Sequence, residues 1–365
     1  MSGILVHEWL ARTGGSENVF EVLGETFPDA ARYALWDDSD GRFSGVNETW
    51  LARTPLRRSK ALALPLMPIA WRGLPAEDAD WVLTSSHLFA HHARFAGPAR
   101  DAPKLVYAHT PARYVWVPEL DGRGGSLPAK LISAALKPLD RKRAQEPAAI
   151  AANSSFVAER IADTWERNAE VIYPPVAVED FAEEPVLSDA DRAVLDGLPD
   201  GFLFAVSRWV PYKRLDAAIT AGRASGRPVV LAGEGSDEQR LRAVAAESGV
   251  DVRFLHHPSF PLLRALYRRA AALVFAPIED FGIVPVEAMA SGTPVLANAV
   301  GGAVESVVDG VTGAHVHDWN SDAELAAAVD RAVASAADAC VARAAEFGTV
   351  VFQGRIAEFI ARHAG

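Results

Sequence analysis

Short apolar runs recur along the chain, each bounded by turn residues and separated from the next by a longer segment with helical spacing. Continuous apolar runs are typical of strands that are buried on both faces of a parallel sheet. In the first half of the chain they predict strands at residues 4–6, 81–84, 104–108, 149–152 and 171–173. In the second half they predict strands at residues 202–206, 228–232, 252–255, 273–276 and 293–297.

The segments between these strands have the spacing of helices that cross from one strand to the next. The pattern predicts helices at residues 17–26, 156–164, 237–248, 262–270 and 323–336. Alternation of strands and helices favours α/β layers with helices on both faces of each sheet. The predicted fold class is therefore α/β, with two doubly wound domains.

The boundary between the predicted domains follows the strand that ends in VIYPP. Residues 176–200 are acidic and poor in aromatic side chains, and Pro185 and Pro199 interrupt them. Near the end of the chain, the letters GRIAEFIARH have helical spacing. We predict an N-terminal domain at 1–178, a second domain at 179–345, and a helix within 346–365 that crosses back to the first domain.

Composition and charge narrow the possible classes of function. The 47 acidic residues outnumber the 36 basic ones and leave a net charge of −11, which disfavours a nucleic-acid partner. Cys340 is the only thiol, so a disulfide scaffold and a cysteine-rich metal module are excluded. No window approaches the roughly 20 apolar residues of a membrane span, and the first residues lack the basic region of a signal peptide. We expect a cytoplasmic protein.

The most informative stretch is LVFAPIEDFGIVPVEAMASGTPV at residues 273–295, where seven residues separate Glu279 from Glu287. The pattern places Glu279 in a loop at the carboxyl end of a strand. It places Glu287 in the first turn of a helix that starts at Pro285, since proline and acidic side chains both favour that turn. Ligands of open α/β sheets bind at this edge.

The same stretch offers backbone donors to a ligand. The N–H groups of Gly282, Ile283 and Val284 would face the crevice at the start of the helix, where an anion or sugar oxygens can accept hydrogen bonds. The alternative interpretation is an ordinary strand–loop–helix unit with one surface glutamate and one capping glutamate. The spacing alone favours neither interpretation.

Positive charge and glycines follow two other predicted strands. Arg208 and Lys213 come just after the strand at 202–206, and fixed cations in a crevice stabilise charge that develops on a departing phosphate. Gly14 and Gly15 open a helix after the first strand, where the backbone can approach an anion closely. No G-x-G-x-x-G is present, so a dinucleotide cofactor lacks support. A solvated basic turn and a simple glycine turn are the alternatives.

Among the histidines, His109 lies just past the strand at 104–108, and His87 also ends a strand. We expect the remaining candidates to be surface or packed side chains: His91, His92, His256, His257, His315 and His317. Three Asp-x-Asp triplets, which begin at Asp38, Asp78 and Asp189, have carboxylates that suit a hard cation. We interpret them as solvated loops and predict no metal and no other cofactor.

A basic cluster with interleaved apolar residues lies at Arg53, Arg57, Arg58 and Lys60. Such a segment suits weak contact with an anionic lipid or with a phosphorylated acceptor. A solvated loop over the N-terminal domain is an equally good interpretation.

Several of these blocks resemble the signatures of the retaining glycosyltransferases of family 4, which have the GT-B fold of two facing Rossmann-like domains with a catalytic crevice between them. The similar blocks are EDFGIVPVEAMA, AVSRWVPYKRLDAAI, LAGEGSDEQRL, VGGAVESVVDGVTG, YAHTPARYVW, ANSSFVAERI and VIYPPV. Together they extend over nearly the whole chain, and several of them are specific to the family.

The resemblance implies a role for each candidate residue. Glu279 and His109 would be the catalytic residues. The donor sugar would be contacted by Glu279, Phe281, Gly282 and Ile283. Glu287 would hold the ribose hydroxyls of the nucleotide. The diphosphate ligands it implies are Arg208, Lys213, Gly14 and Gly15, with backbone contacts from Ile283 and Val284.

The function implied by the resemblance is the metal-independent transfer of a hexose from a nucleotide sugar to a hydroxyl of a saccharide, glycolipid or natural product, with retention of the α configuration. The blocks look most like bacterial α-mannosyltransferases that use GDP-mannose. The chain departs from the family where His256, His257 and Pro258 replace an expected glycine near the base pocket. UDP-, dTDP- and ADP-sugars therefore stay open as donors. A nucleotide-sugar epimerase or a phosphorylase is the rival enzyme class, and an activator subunit without a catalytic site is the non-enzymatic rival.

Overall fold

The computed structural model describes residues 2–117 and 127–365, which divide into two units. Unit 1 consists of Met1–Pro175 and Thr349–Gly365, and unit 2 consists of Val176–Gly348. Our sequence prediction placed the boundaries close by, at 178/179 and 345/346. None of the described helices is long and apolar enough to cross a lipid bilayer.

The strands of unit 1 begin and end at β1 (Gly3–His7), β2 (Leu10–Ala11), β3 (Ala31–Ala34), β4 (Asp37–Asp38), β5 (Val46–Glu48), β6 (Trp81–Ser86), β7 (Lys104–Ala108), β8 (Ala149–Ala152) and β9 (Glu170–Val171). All except β2 and β4 form one parallel sheet in the order β5-β3-β1-β6-β7-β8-β9. The short strands β2 and β4 pair with each other. This is the order of a Rossmann-like sheet with one further edge strand.

The helices of this part of unit 1 are α1 (Gly15–Thr26), α2 (Lys60–Ala63), α3 (Met67–Ala70), α4 (Arg113–Trp116), α5 (Leu127–Arg143) and α6 (Ser155–Trp165). Short 3-10 helices lie at Trp50–Arg53, Pro55–Arg58, Leu64–Leu66, Ala90–His92 and Pro98–Arg100. Ser154 caps α6, since its side chain accepts a hydrogen bond from Val157 N.

The strands of unit 2 are β10 (Leu203–Val206), β11 (Val229–Ala232), β12 (Val252–Leu255), β13 (Ala272–Phe275), β14 (Val295–Asn298) and β15 (Gly313–Val316). They form a parallel sheet in the order β12-β11-β10-β13-β14-β15. This is the strand order of a Rossmann fold. The predicted α/β class with two doubly wound domains is confirmed.

The helices of unit 2 are α7 (Val178–Ala182), α8 (Asp189–Asp196), α9 (Asp216–Ser225), α10 (Glu238–Ser248), α11 (Phe260–Arg269), α12 (Ile283–Ala290), α13 (Ala303–Ser306), α14 (Asp322–Val333) and α15 (Ala337–Ala345), with a 3-10 helix at Pro211–Lys213. The final helix, α16 (Thr349–Ala364), belongs to unit 1.

Helix α16 completes the core of unit 1. Its residues Phe352, Ile356, Phe359 and Ile360 have the spacing of one helix face, and all are buried in the same apolar cluster as Leu5 and Tyr107 of the sheet. The Phe352 and Tyr107 rings meet edge to face with their centroids 5.5 Å apart. The last residues of the chain thus pack on strands formed near its beginning.

The sequence pattern missed some elements and misplaced one helix start. The short strands β3 and β5, at one side of the unit 1 sheet, are partly exposed and contain polar residues, so they lack a continuous apolar run. The helix predicted to start at Pro285 begins at Ile283, with Gly282 as its N-cap. Glu287 consequently lies beyond the first helical turn, so that expectation is wrong.

Candidate functional site

The carboxyl edge of the unit 2 sheet contains the topological switch point, where the chain moves outward in opposite directions. Strands β10 and β13 are adjacent and parallel, with Leu203 opposite Ala272. The chain continues from β10 to β11 on one side and from β13 to β14 on the other. The loops that follow β10 and β13 therefore diverge and leave a crevice, which is where open α/β sheets bind ligands.

Two of the predicted residues meet in this crevice. Lys213, at the end of the 3-10 helix after β10, forms an ion pair with Glu279 in the loop after β13. Their side chains are only 17% and 23% exposed, so the pair is partly shielded from water. Arg208 is exposed and donates a hydrogen bond of 2.8 Å to the Tyr212 hydroxyl. The loop after β10 therefore supplies two cations, Arg208 and Lys213, and one of them pairs with the Glu279 carboxylate of the loop after β13.

Glycines let the neighbouring loop approach this turn. A Cβ at Gly233 would lie 1.9 Å from the Ser207 carbonyl oxygen, and one at Gly235 would lie 2.2 Å from the Trp209 carbonyl oxygen. Both glycines also have positive φ, at 133° and 155°. Only glycine fits these positions, and their role is steric.

The loop that holds Glu279 is supported by a further glycine, Gly302. Gly302 N donates to the Glu279 carbonyl oxygen at 2.8 Å, and a Cβ at Gly302 would lie 2.2 Å from the Asp280 carbonyl oxygen. The Phe281 side chain is buried and packs against Phe347 at 5.5 Å between ring centroids. A sugar contact at Phe281 would therefore involve its backbone, whereas the resemblance implied only the residue.

The amino terminus of α12 lies directly after this loop. Gly282 has a φ of 90° as the N-cap, and no side chain caps the helix. The N–H groups of Ile283 and Val284 belong to the first turn, which has no intrahelical acceptors. Aligned peptide dipoles add partial positive charge there, so the first turn suits sugar or phosphate oxygens.

Glu287 lies farther along α12 and has an unusual environment. The Tyr267 hydroxyl donates to its Oε2 at 3.0 Å. Burial raises the pKa of Glu287 to about 7, and the hydrogen bond from Tyr267 opposes that rise. Its charge therefore changes close to neutral pH.

A second switch point lies in unit 1, where β1 and β6 are adjacent and His7 is opposite Ser85. The Ser85 hydroxyl lies 3.0 Å from His7 Nδ1 and 2.8 Å from His109 Nε2. All three side chains are buried. His109, predicted to contact the donor sugar, thus belongs to a hydrogen-bonded chain that links β1, β6 and the residue after β7.

Glu8 and Ser86, the residues that follow His7 and Ser85, form a separate hydrogen-bond network, since successive side chains of a strand point to opposite faces of the sheet. Glu8 Oε1 accepts hydrogen bonds from Leu88 N at 2.8 Å, Ala90 N at 2.7 Å and the Ser86 hydroxyl at 3.3 Å. Burial raises the pKa of Glu8 to about 7 despite these hydrogen bonds. Among the described residues, Glu8 Oε2 has no hydrogen-bond partner.

His87 lies beside the first of these networks. Its ring is 5.5 Å from the His7 ring, 6.2 Å from the His109 ring and 4.9 Å from the Trp9 ring, measured between centroids. Burial, with help from the charges of His109 and Lys60, lowers the pKa of His87 to about 3. The side chain is therefore a neutral imidazole at physiological pH.

The predicted glycine turn begins α1. Gly14 is the N-cap and Gly15 is the first helical residue. The Glu17 carboxylate folds back over this turn, with Oε2 2.0 Å from the place a Cβ would take on Gly14, and it accepts a 2.8 Å hydrogen bond from Ser16. The helix terminus thus faces a carboxylate of its own chain.

The structure gives other partners to the Asp-x-Asp triplets. Asp38 pairs with Arg57, Asp40 pairs with Arg12, and Asp80 accepts from the Ser2 backbone. Across residues 2–117 and 127–365, the group with metal-ligand proximity is His91, His92 and Asp140, all buried. The Asp140 carboxylate also accepts hydrogen bonds from the indoles of Trp116 and Trp165, at 2.7 and 2.8 Å.

Sequence reasoning missed His7, Glu8 and Ser85. The available signal was their position, because each lies at the carboxyl end of a buried strand or directly after it, and the two strands are neighbours across the switch point. Without the order of strands in the sheet, that adjacency is not visible in the sequence.

Two family models match the chain. Residues 13–180 match Glycosyltransferase Family 4, and residues 191–346 match Glycosyl transferases group 1. These ranges correspond closely to the first part of unit 1 and to unit 2.

Curated relatives match part of the chain. It is 30% identical over 252 residues to an alpha-1,3/1,6-mannosyltransferase alg-2 of Neurospora crassa, which covers 57% of this chain and 53% of the relative. It is 39% identical over 197 residues to a D-inositol 3-phosphate glycosyltransferase of Mycobacterium avium, which covers 50% of this chain and 45% of the relative. The chain spans about half the length of these relatives.

A solved structure matches the whole chain. The Anabaena protein Alr3699/HepE, in complex with UDP-glucose, has a TM-score of 0.70 at 20% identity, and the alignment covers 99% of each chain. At this identity, the similarity shows a shared fold.

Proposed function

Because the chain has the GT-B fold and contains a glycosyltransferase family 4 domain followed by a glycosyl transferases group 1 domain, we propose that it is a retaining glycosyltransferase. It moves a hexose from a nucleoside diphosphate sugar to a hydroxyl group of a saccharide, glycolipid or natural product.

The observation that carries the proposal is the meeting of Lys213 and Glu279 at the unit 2 switch point. A diphosphate needs positive charge, and a sugar ring needs a hydrogen-bond acceptor beside it. The crevice presents both within one ion pair, next to the amino terminus of α12. A surface salt bridge with a purely structural role would not require that location.

The charges suit a reaction in which the glycosidic bond to phosphate breaks. Arg208 and Lys213 stabilise the negative charge that grows on the departing diphosphate. Glu279 orients the sugar and stabilises its oxocarbenium-like state, and His109 supports the sugar. The acceptor oxygen forms the new bond to the anomeric carbon on the same face, and its proton passes to the departing phosphate oxygen.

Glu287 binds the nucleotide in this scheme. Its carboxylate accepts hydrogen bonds from the ribose hydroxyls, which are present in the donor and in the free nucleotide alike. The contact is therefore a binding interaction that should affect ground state and transition state similarly.

We take GDP-mannose as the donor, supported by the family blocks and by the mannosyltransferase name of the Neurospora relative. The D-inositol 3-phosphate glycosyltransferase name of the Mycobacterium relative keeps other nucleotide sugars as the alternative. Near the expected base pocket, the ring of His256 lies 4.9 Å from that of Trp209, and His257 has a φ of 45°. This local departure is where base recognition would differ.

The proposal needs no metal, because Arg208 and Lys213 supply positive charge to the diphosphate. It includes a cytoplasmic location, in keeping with the single buried thiol of Cys340. Weak contact of the Arg53–Lys60 segment with an anionic membrane is a further part of it, and Leu62 and Ile69 beside that segment are exposed.

The test is a thermal-shift panel with GDP, UDP, dTDP and ADP, followed by transfer assays with the matching sugars. One nucleotide should stabilise the protein far more than the others, by mass action. Nucleotide release should require a hydroxyl acceptor and should persist in EDTA. Release with water or phosphate alone, or epimerised donor without transfer, would contradict the proposal. Activity lost in EDTA and restored by a divalent cation would contradict its metal-independent part.

A further inference from the structure

One serine hydroxyl in unit 1 is shared by two imidazoles. His7 and Ser85 are register partners on β1 and β6, and His7 Nδ1 lies 3.0 Å from Ser85 Oγ. On its other side, Ser85 Oγ lies 2.8 Å from Nε2 of His109, which follows β7. The three groups form a buried chain that includes His109, the residue proposed to contact the sugar.

The chemistry of a hydroxyl makes the two imidazoles complementary. Ser85 has one proton, so when it donates to one ring nitrogen it accepts from the other. If His7 Nδ1 is the donor, Ser85 donates to His109 Nε2, and a neutral His109 carries its proton on Nδ1. If His7 Nδ1 is the acceptor, the proton pattern of His109 is reversed.

The environment of His7 selects between these arrangements. Burial, with the nearby charges of His87 and His109, holds the pKa of His7 well below its usual value although a hydrogen bond to the Ser85 backbone opposes this, so the ring is neutral with one N–H. His7 Nε2 is buried and has no hydrogen-bond partner among the described residues. A buried N–H without an acceptor is avoided more strongly than an unused acceptor. The proton of His7 therefore lies on Nδ1 and points at Ser85.

We propose that His7 and Ser85 are positioning residues that hold His109 in one orientation and as the Nδ1-protonated tautomer. Ser85 accepts from His7 and donates to His109 Nε2, so the ring has no freedom to exchange its nitrogens. The inference rests on the proposed function, in which His109 faces the donor sugar. A hydroxyl of the sugar then always meets the same donor and acceptor nitrogens of His109. Residues behind a metal-binding histidine fix its tautomer and ring orientation in the same way.

The tautomer is measured directly by 15N NMR of the native protein labelled at histidine, with His109 assigned from a His109→Gln variant. We expect His109 Nε2 at the shift of an unprotonated imidazole nitrogen and Nδ1 at that of a protonated one. In Ser85→Ala, His109 should become a mixture of tautomers. A native His109 protonated on Nε2, or an unchanged pattern in Ser85→Ala, would overturn the inference.

Kinetics provide the second readout. Ser85→Ala should lower kcat by about 10- to 100-fold, which is the usual cost of removing a residue that orients a functional side chain. Nucleotide affinity should change little. Ser225→Ala is the matched control, because its hydroxyl donates within its own helix, to the carbonyl oxygens of Ala221 and Gly222. An equal loss of kcat in both variants would contradict the positioning role.

Two substitutions at His7 separate packing from hydrogen bonding. His7→Phe keeps a ring against Phe20, with which His7 stacks at 5.0 Å, but removes Nδ1. His7→Asn loses the ring but places an amide donor near the position of Nδ1. We expect Asn to restore part of the kcat that Phe loses, and no difference between them would contradict the inference. If no sugar transfer occurs with any donor, the proposed function fails, while the NMR result on His109 still stands or falls by itself.

Discussion

Lys213 and Glu279 neutralise each other across the unit 2 switch point. The proposed function gives them different ligands, since Lys213 takes the diphosphate and Glu279 takes the sugar. Binding of the donor therefore requires Lys213 to exchange a carboxylate for phosphate oxygens, which releases Glu279 toward the sugar. The ion pair keeps both side chains at the crevice before the donor arrives.

This pairing predicts opposite effects of two substitutions on nucleotide binding. Glu279→Gln removes the competitor of the phosphate for Lys213, so affinity for the nucleoside diphosphate should stay native or become tighter. Because the sugar loses its partner, kcat should fall by roughly 10²-fold, as for a group that acts in the transition state. Lys213→Ala should weaken nucleotide binding as well as lowering kcat.

Calorimetry with the nucleoside diphosphate and steady-state kinetics measure these quantities. Glu247→Gln, on an exposed part of unit 2, is the control and should behave as native. Weaker nucleotide binding in Glu279→Gln, with native kcat, would show that the assignment of the two ligands is wrong.

Glu287 predicts a pH dependence of donor binding. Its pKa is raised to about 7, so it loses its charge as the pH falls through neutrality and becomes a poorer acceptor for ribose hydroxyls. Donor affinity should therefore fall between pH 8 and pH 6. Glu287→Gln should bind more weakly by roughly 1.5–3 kcal/mol at pH 8 and should lose this dependence.

The ligand for that experiment is the intact nucleotide sugar without acceptor, because a terminal phosphate itself titrates at about pH 6. Isothermal titration at several pH values gives the slope of donor affinity against pH for native protein and for Glu287→Gln. Equal slopes would exclude Glu287 as the titrating group.

Glu8 predicts a pH dependence of stability. Burial raises its pKa from 4.5 in the unfolded chain to about 7 in the folded protein, so the folded state binds more protons between these values. The stabilisation from proton binding is complete below pH 4.5 and is lost as the pH rises through 7. The difference corresponds to about 3 kcal/mol.

Glu8→Gln should remove this dependence, because its amide oxygen can still accept from Leu88 N and Ala90 N without carrying charge. Urea unfolding at pH 5 and pH 8 measures the free energy of unfolding. Relative to native protein, the free energy of unfolding of Glu8→Gln should be higher at pH 8 than at pH 5. If the difference in free energy of unfolding between native protein and Glu8→Gln were the same at pH 5 and at pH 8, the raised pKa of Glu8 would be contradicted.

The close packing of Gly302 predicts that one added methyl group at this position lowers activity. A Cβ there would lie 2.2 Å from the Asp280 carbonyl oxygen, so Gly302→Ala should displace the loop that holds Glu279 and lower kcat. Gly354→Ala is the control, since a Cβ at this exposed position on α16 contacts nothing within 4 Å. It should raise the free energy of unfolding by about 0.5–1 kcal/mol. Similar kcat values in both variants would contradict the support role of Gly302.

The sequence predicted the parts of the molecule that are set by local patterns. Continuous apolar runs located strands such as β7 and β8, and the positive and acidic residues after β10 and β13 were identified from their position in the chain. It did not reveal that Lys213 pairs with Glu279, because that contact depends on β10 and β13 being neighbours. The His7–Ser85–His109 chain was hidden for the same reason, since adjacent strands there come from distant parts of the sequence.

The placement of α16 has a consequence for the order in which the protein can fold during synthesis. A ribosome that has released residues 1–348 has made all of unit 2, but unit 1 still lacks Phe352, Ile356, Phe359 and Ile360. The strands that these side chains cover, made first, must wait with an apolar surface exposed until the last turns of helix emerge. We therefore expect unit 2 to finish folding before unit 1, the reverse of the N-terminal-first order usual for successive domains.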